Sequence, residues 1–385
     1  MFCTIRLFDE DAYLKSFSAS VVSCEECDGG YSTVLDRTGF FPESGGQSCD
    51  VGTIGDAAVT HVYESGDIIV HLTDVKVEPG SEVPCAIDFR RRYRNMQNHS
   101  GEHVLCGIAH SLWGAENVGF HLSENYVRVD LDVFLDKDRL KKLEALANDA
   151  IFDNRKITAW YPDGKELETT DFRSKEGIEG RVRLVRIDGV DICACCAPHV
   201  ASTAEIGVIK IIDAIKYKGG TRLEIICGRD AADMFISEHA AISSLAASYS
   251  VKREDLGEAV ERQRKELASV TYELRRVEKE LMLASLSNIR ETDGNLCFFY
   301  GDADDESVRE FLNGAALKCR IAAGFIGNDE DGYRFTIRSD KADLKALCGV
   351  ITEGISGRGG GTPLMIRGSC TAKKDEIEVF FASIK

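Results

Sequence analysis

Two short segments carry residue types whose spacing could do chemistry. His99-Ser100-Gly101-Glu102-His103 sets two histidines four apart, and on a helix such a pair shares one face and can reach a single ion. Cys195-Cys196-Ala197-Pro198-His199 sets a thiol and an imidazole in a loop that Pro198 stiffens. A thiolate and imidazoles so placed suit zinc. Together His99, His103, Cys195 and His199 offer a tetrahedral N/S set, and they are the candidate metal-binding and catalytic residues. Four protein ligands leave no open position, so the same set also reads as a structural cross-link between two halves of the chain. Glu102 reads as a solvated or outlying residue on the opposite face of the helix. A third segment, Phe40-Phe41-Pro42-Glu43-Ser44-Gly45-Gly46-Gln47, is glycine-rich and presents Glu43 and Gln47. It reads either as a turn with glycines at positive φ or as a loop closing over a substrate.

The elements that must position these residues follow from pattern. Residues 1–90 hold short alternating runs such as Tyr31–Leu35, separated by Gly-, Asp- and Ser-rich turns, which predicts a small β-barrel or sandwich. A helix begins after Arg90, and strands near Tyr126–Leu131, Val182–Ile187 and Ile206–Tyr217 with a helix near Lys137–Asn154 make residues 91–240 an α+β block. Over 241–291, Leu256, Val260, Gln263, Leu267, Val270, Leu274, Val277, Leu281 and Ala284 step alternately by four and three. That is a coiled-coil seam, which pairs either with a second chain or with the apolar stretch near Ala232–Ala247. Residues 292–385 read as a separate small α/β domain with a glycine-rich loop at Gly357-Arg358-Gly359-Gly360-Gly361 and a last strand at Ile377–Phe381. The fold class is thus α+β.

Composition narrows the function classes. The net charge is −17 with 29% charged residues, so a wholly basic nucleic-acid-binding surface is excluded, although a local basic groove is not. Arg90-Arg91-Arg92 with Arg94 is one such local feature, and Arg358, Arg367, Lys373 and Lys374 form another. No apolar run reaches the length of a membrane span, and Asp9, Glu10 and Asp11 near the start argue against a signal peptide. The expectation is a cytoplasmic protein whose 14 cysteines are reduced thiols or metal ligands.

Taken in order, five segments resemble a known family. Thr38–Gln47 is similar to T-x-F-Y-P-E-x-G-G-Q, His99–Leu105 to H-[ST]-x-x-H-L-L, Arg128–Leu131 to R-F-D-F, Cys195–Gly207 to C-G-G-T-H-V-x-x-T-x-E-I-G, and Gly220–Glu224 to G-x-R-I-E. They resemble the editing half of alanyl-tRNA synthetase and its AlaX trans-editing relatives. Gly357–Pro363 resembles the G-[KR]-G-G-G-x-P segment of the synthetase C-terminal domain, shared with DHH phosphoesterases. The resemblance implies a long-form AlaX protein with no preceding aminoacylation domain, expected neither to ligate alanine nor to use ATP. One departure stands out: Cys196-Ala197-Pro198 replaces G-G-T between the ligands.

The implied activity is zinc-dependent hydrolysis of the ester in mischarged tRNA(Ala), with the zinc anchoring the amino acid's amine or activating a water. The partner is the aminoacylated 3′ end. Glu43, Gln47, Arg128 and Gly357, Arg358, Gly359, Gly360 and Gly361 are the implied substrate-binding residues, and a homodimer through the coiled coil or C-terminal domain is implied. The alternative is a catalytically altered zinc- and tRNA-binding protein of the same fold. From other classes, Cys24-Glu25-Glu26-Cys27 and Cys193-Ala194-Cys195-Cys196 could be thiolate sites of a metal-sensing scaffold, and the C-terminal segment could belong to a phosphoesterase.

Overall fold

The computed structural model describes residues 2–174 and 181–384. Six strands close on themselves at the N-terminal end: β1 (Ser16–Cys27), β2 (Gly30–Leu35), β3 (Gly52–Ile54), β4 (Ala57–Ser65), β5 (Ile68–Thr73) and β6 (Glu82–Ile87), in the order β1-β2-β5-β4-β3-β6 and back to β1. Alternate residues point inward, and Val21, Leu35, Phe40, Ile54, Val62 and Ile69 fill the interior. In a strand, residues three apart face opposite sides. That separates Cys24, buried against Thr33, from Cys27, so the C-x-x-C of β1 does not form a thiolate pair. All fourteen cysteines are free thiols.

Asp88 caps the next helix by accepting a hydrogen bond from the Arg91 N–H, and Gly114 ends it in the left-handed conformation, as glycine does at helix C-termini. This helix, α1 (Phe89–Trp113), is buried on nearly every side along its middle turns. It lies against a four-stranded sheet whose order is β12-β13-β8-β7, built from β7 (Asn117–Leu122), β8 (Val127–Leu131), β12 (Ile209–Tyr217) and β13 (Gly220–Cys227). The helix α2 (Lys137–Phe152) and a second sheet, β9 (Ile157–Trp160), β10 (Leu184–Ile187) and β11 (Asp191–Ala194), complete this block. Met96, Leu105, Val129, Leu143, Val185 and Leu223 share its core.

Two compact units meet between Ser244 and Leu245. The closed ring of strands and the α+β block therefore belong to one unit, and Ala197 of the Cys195–His199 segment is part of the ring's own core. The boundary between the units falls within the helix α3 (Gly228–Ser248). The second unit contains α4 (Leu256–Ser285), which spans the expected seam, and a sheet ordered β14-β15-β16-β18-β17. Its strands are β14 (Asn295–Tyr300), β15 (Ile321–Asn328), β16 (Gly332–Arg338), β17 (Gly357–Gly361) and β18 (Met365–Cys370), with helices α5 (Asp305–Ala316), α6 (Leu344–Gly354) and α7 (Lys374–Ser383).

Two expectations for the second unit need correction. Along the seam of α4, Val260, Leu267, Val270, Leu274 and Val277 are exposed, while Met282 and Leu283 near its end pack on the α5 cluster. The glycine-rich stretch is an edge strand, not a loop. A Cβ at Gly357 would come within 2.6 Å of the Ser369 carbonyl oxygen, and Cβ atoms at Gly359 and Gly361 would collide with the carbonyls of Arg367 and Met365. Glycine is required there by the close approach of β18. The last element is a helix, because Ile377 and Phe381, four apart, share the buried face and Glu376 accepts a hydrogen bond from the Lys373 N–H at its start.

Candidate functional site

The four sequence-predicted ligands converge. One donor atom from each of His99, His103, Cys195 and His199 lies within 4.8 Å of the others. The three imidazole centroids stand 4.7–5.2 Å apart. Cys195 Sγ is 3.5 Å from His99 Nε2 and 3.4 Å from His199 Nε2. All three histidines are at least 95% buried. Such a set of three imidazoles and one thiol could hold a zinc-like ion.

Two of the three rings are aimed by a partner on the far nitrogen, an arrangement common in metal sites. His99 Nδ1–H donates to Gln47 Oε1 at 2.7 Å, and His199 Nδ1 shares a hydrogen bond with Ser100 Oγ at 3.0 Å. Both Nε2 atoms face Cys195. His103 Nδ1 has no hydrogen-bond partner. Asp191 Oδ2 stands 3.7 Å from it, too far for a hydrogen bond but close enough to interact electrostatically.

The electrostatics follow from burial and from these neighbours. Burial opposes ionisation of the Cys195 thiol, yet the His99 and His199 imidazoles hold it well below the usual thiol range. Burial pushes His199 down to about 3. Burial also works against charge on His103, but Cys193 and Asp191 raise it well above the ordinary imidazole value. Burial lifts the Cys193 thiol to about 11. A thiolate is the ligand form of cysteine, the form these neighbours favour at Cys195.

Three devices position the segments. Gly45 and Gly46 take φ of +61° and +86°, a turn that L-residues resist. Gly46 then accepts a hydrogen bond from the Leu122 N–H of β7, which lays Gln47 against His99. Arg183 Nη1 donates to the carbonyls of Cys195 and Ala197 at 3.1 and 2.8 Å and so stitches the thiol loop. Tyr13 and Tyr93 both donate to Glu205 Oε2, tying the ring and α1 to the chain just after His199.

A cavity of about 320 Å³ opens on this cluster, lined by His99, Glu102, His103, Asn117, Phe120 and Tyr161 among others. The remaining predicted site residues divide. Gln47 is fully buried and accepts a hydrogen bond from His99 Nδ1–H. Glu43 is exposed beside His61, 3.7 Å away, and it is Ser44 and Gly45 that line the cavity. Arg128 lies away from the cavity, bound to the Tyr126 hydroxyl and to Glu224. Gly357, Arg358, Gly359, Gly360 and Gly361 belong to the second unit. Glu102 is corrected in the other direction. It is buried, lines the cavity, and its Oε2 is 3.8 Å from His103 Nε2. Residues three apart on a helix are neighbours, so Glu102 shares the face of His99, and α1 has no solvated side at this turn. Arg173 and Asp191 were not foreseen. Asp191, Cys193 and Cys195 alternate along one run, a period-two signal that places them on one side of a strand.

The basic run at the start of α1 is largely consumed internally. Arg92 is fully buried on Asp50, Arg94 pairs with Asp230 at 2.7 Å, and Arg91 holds Cys49 and Ser48. A groove of about 980 Å³ beside them is larger than the cavity on the cluster but is lined by these paired charges.

Comparison with known proteins gives a consistent picture. Residues 182–224, which include Cys195 and His199, match the family described as the threonyl and alanyl tRNA synthetase second additional domain. An alanine–tRNA ligase of Ignicoccus hospitalis is 32% identical over 322 residues, covering 80% of this chain and 35% of the ligase. The chain thus spans about a third of that ligase's length. An alanyl-tRNA editing protein of Rattus norvegicus is 25% identical over 398 residues, covering 97% of this chain and 96% of the rat protein. Among solved structures, the C-Ala domain of Aquifex aeolicus alanyl-tRNA synthetase matches 25% of the chain at 14% identity with a TM-score of 0.21.

Proposed function

We propose that the chain acts as a member of the alanyl-tRNA synthetase editing-domain family, to which it is similar, and that it hydrolyses the ester of wrongly charged tRNA(Ala). The observation that carries this reading is the convergence of His99, His103, Cys195 and His199 on one buried cavity. The match with a rat alanyl-tRNA editing protein over 97% of this chain supports an editing activity on tRNA(Ala), and the reading includes a cytoplasmic setting. The donor set and the outward Nδ1 partners of His99 and His199 fit zinc. Bound zinc would supply a Lewis acid able to polarise an ester carbonyl or acidify a water. The chain's own residues do the rest: Gln47 and Ser100 hold two of the rings, Arg183 fixes the thiol loop, and Phe120 and Tyr161 help wall the cavity.

Seryl-tRNA(Ala) is the first expected substrate and glycyl-tRNA(Ala) the second. A pocket for alanine rejects a single added hydroxyl or missing methyl by only about 10–200-fold, whereas a second pocket that binds the serine hydroxyl rejects alanine strongly. In the second unit, Arg358 on β17 and Arg367 on β18 lie at register positions of one sheet face. They support a reading in which this sheet contacts the tRNA backbone. Replacing both with alanine is then expected to raise KM and flatten its salt dependence. The exposed seam of α4 supports pairing with a second copy, which sedimentation measures.

The deciding experiment compares deacylation of seryl-tRNA(Ala) with alanyl-tRNA(Ala), using His103→Ala as control. Loss of serine alone, abolished by the substitution, supports the reading. Stability of both esters in a metal-loaded protein favours the second reading, a binding protein in which Cys196-Ala197-Pro198 has ended the chemistry.

A further inference from the structure

The two carboxylates nearest His103 are treated differently by the fold. Asp191 has a side chain only 5% exposed and receives two hydrogen bonds from the Arg173 guanidinium, at 2.8 and 2.6 Å. Its charge is matched. The Glu102 side chain is equally buried, at 5%. Its Oε1 accepts only the neutral amide N–H of Asn117, the Cys106 thiol lies beside it, and its Oε2 faces His103 Nε2 at 3.8 Å. If His103 gives that nitrogen to a metal, it has no proton there to offer. Among the described residues, no lysine or arginine pairs with Glu102.

The arginines that line the same cavity are already engaged. Arg6 pairs with Glu64, Arg173 with Asp191, Arg183 with the thiol-loop carbonyls, and Arg181 stacks on Tyr161. Glu102 also stands outside the four donors that lie within 4.8 Å of one another, so it is beside the candidate metal centre and not part of it. A buried carboxylate oxygen that accepts no direct hydrogen bond is costly unless a ligand brings a donor to it. Here the carboxylate opens onto a cavity that admits a ligand.

We infer that Glu102 binds the α-ammonium group of the aminoacyl ester. This rests on the ester-hydrolase reading and adds a specificity to it: the site selects esters with a free α-amine over hydroxy-acid esters of the same shape. Asn117 orients the carboxylate by holding one oxygen, and the other is left for the substrate. The cation is the group that distinguishes an aminoacyl ester from its α-hydroxy counterpart, while the acyl carbonyl and the ribose are common to both.

The test uses the metal-loaded full chain with seryl-tRNA(Ala) and with glyceroyl-tRNA(Ala), in which nitrous acid has exchanged the amine for a hydroxyl. Rates are corrected for spontaneous hydrolysis. The native protein is expected to disfavour the glyceroyl ester by about 10- to 100-fold, mostly in KM, as loss of a charge-assisted hydrogen bond requires. In Glu102→Gln, at unchanged metal content, the gap is expected to close to within about threefold, with seryl-tRNA(Ala) brought down to the level of its analogue. Equal KM for the two esters in the native protein overturns the inference, as does a full gap retained in Glu102→Gln. If that variant folds poorly or loses its metal, Glu102→Asp, which withdraws the carboxylate by one methylene, takes its place, and a full gap retained there with unchanged KM for seryl-tRNA(Ala) overturns the inference. A native protein that hydrolyses neither ester overturns the ester-hydrolase reading and takes this inference with it.

Discussion

The two long helices of this chain break the ordinary rule of burial in opposite directions. α1 buries Asn95, Asn98, His99, Ser100, Glu102 and His103, whereas α4 leaves Leu267, Leu274 and Leu281 56–72% exposed. Buried polar groups are costly unless they find partners, and several polar side chains on α1 are held by a specific atom of another element. His99 has Gln47, Ser100 has His199, and Asn98 accepts from the Cys227 N–H. α4 carries a clean apolar seam but has nothing packed on most of it. The first helix is specified by contacts already made, and the second by a surface still to be covered. Reading hydrophobicity alone would rank them the other way round.

Four substitutions sharpen or break this contrast. The largest effect is expected for His103→Ala on α1, which should cut deacylation by more than the roughly 100-fold upper range of outlying-partner losses and strip metal detectable by elemental analysis. Full activity in that variant would sink the metal-centred scheme. Gln47→Ala and Ser100→Ala remove only the partners of ligands. Each should weaken metal affinity by about 10–100-fold, as measured by competition with a chelator, and unchanged affinity would mean the rings are held by packing alone. Gly101→Ala places a methyl against the Cys227 thiol. Overpacking of about 1–3 kcal/mol, less up to ~1 kcal/mol of helix propensity, should lower the thermal midpoint, and a raised midpoint would show that the α1–β13 contact is loose. The smallest effect is expected on α4. Leu274→Lys should change the stability of a single chain by within about 0.5 kcal/mol while converting a paired species to a monomer in sedimentation. A large loss of stability with no change in mass would mean the seam is covered within its own chain.

The site was more legible than its surroundings. Four-residue spacing on a helix and C-x-x-x-H in a loop are local patterns, and they named all four converging donors. The turn at Gly45 and Gly46 marks Gln47 as close to the site, but not its bond to His99, because a glycine turn reveals that something approaches closely and not what. Glu102 was misplaced by treating a helix as having two faces; three residues from His99, it is a neighbour. Arg173 carries no local signal, since its partner Asp191 lies eighteen residues on. In the second unit, Gly357–Gly361 was taken for a loop from composition, though glycine also serves a strand that must lie close to its neighbour. Ile377–Phe381 was taken for a strand because a short apolar run has no decisive period. The helix start at Lys373, with Glu376 three residues later, was the overlooked signal.

The distance along the chain between the two halves of the cluster has a consequence for synthesis. His99 and Cys195 are ninety-six residues apart, and closing so long a loop costs entropy that only completed packing repays. While the ribosome is still extending the chain toward Cys195, α1 can present two imidazoles but no thiolate. An ion that needs all four donors can be fully held only once Cys195 and His199 have been made and brought to α1, so completing the donor set is tied to completing this unit.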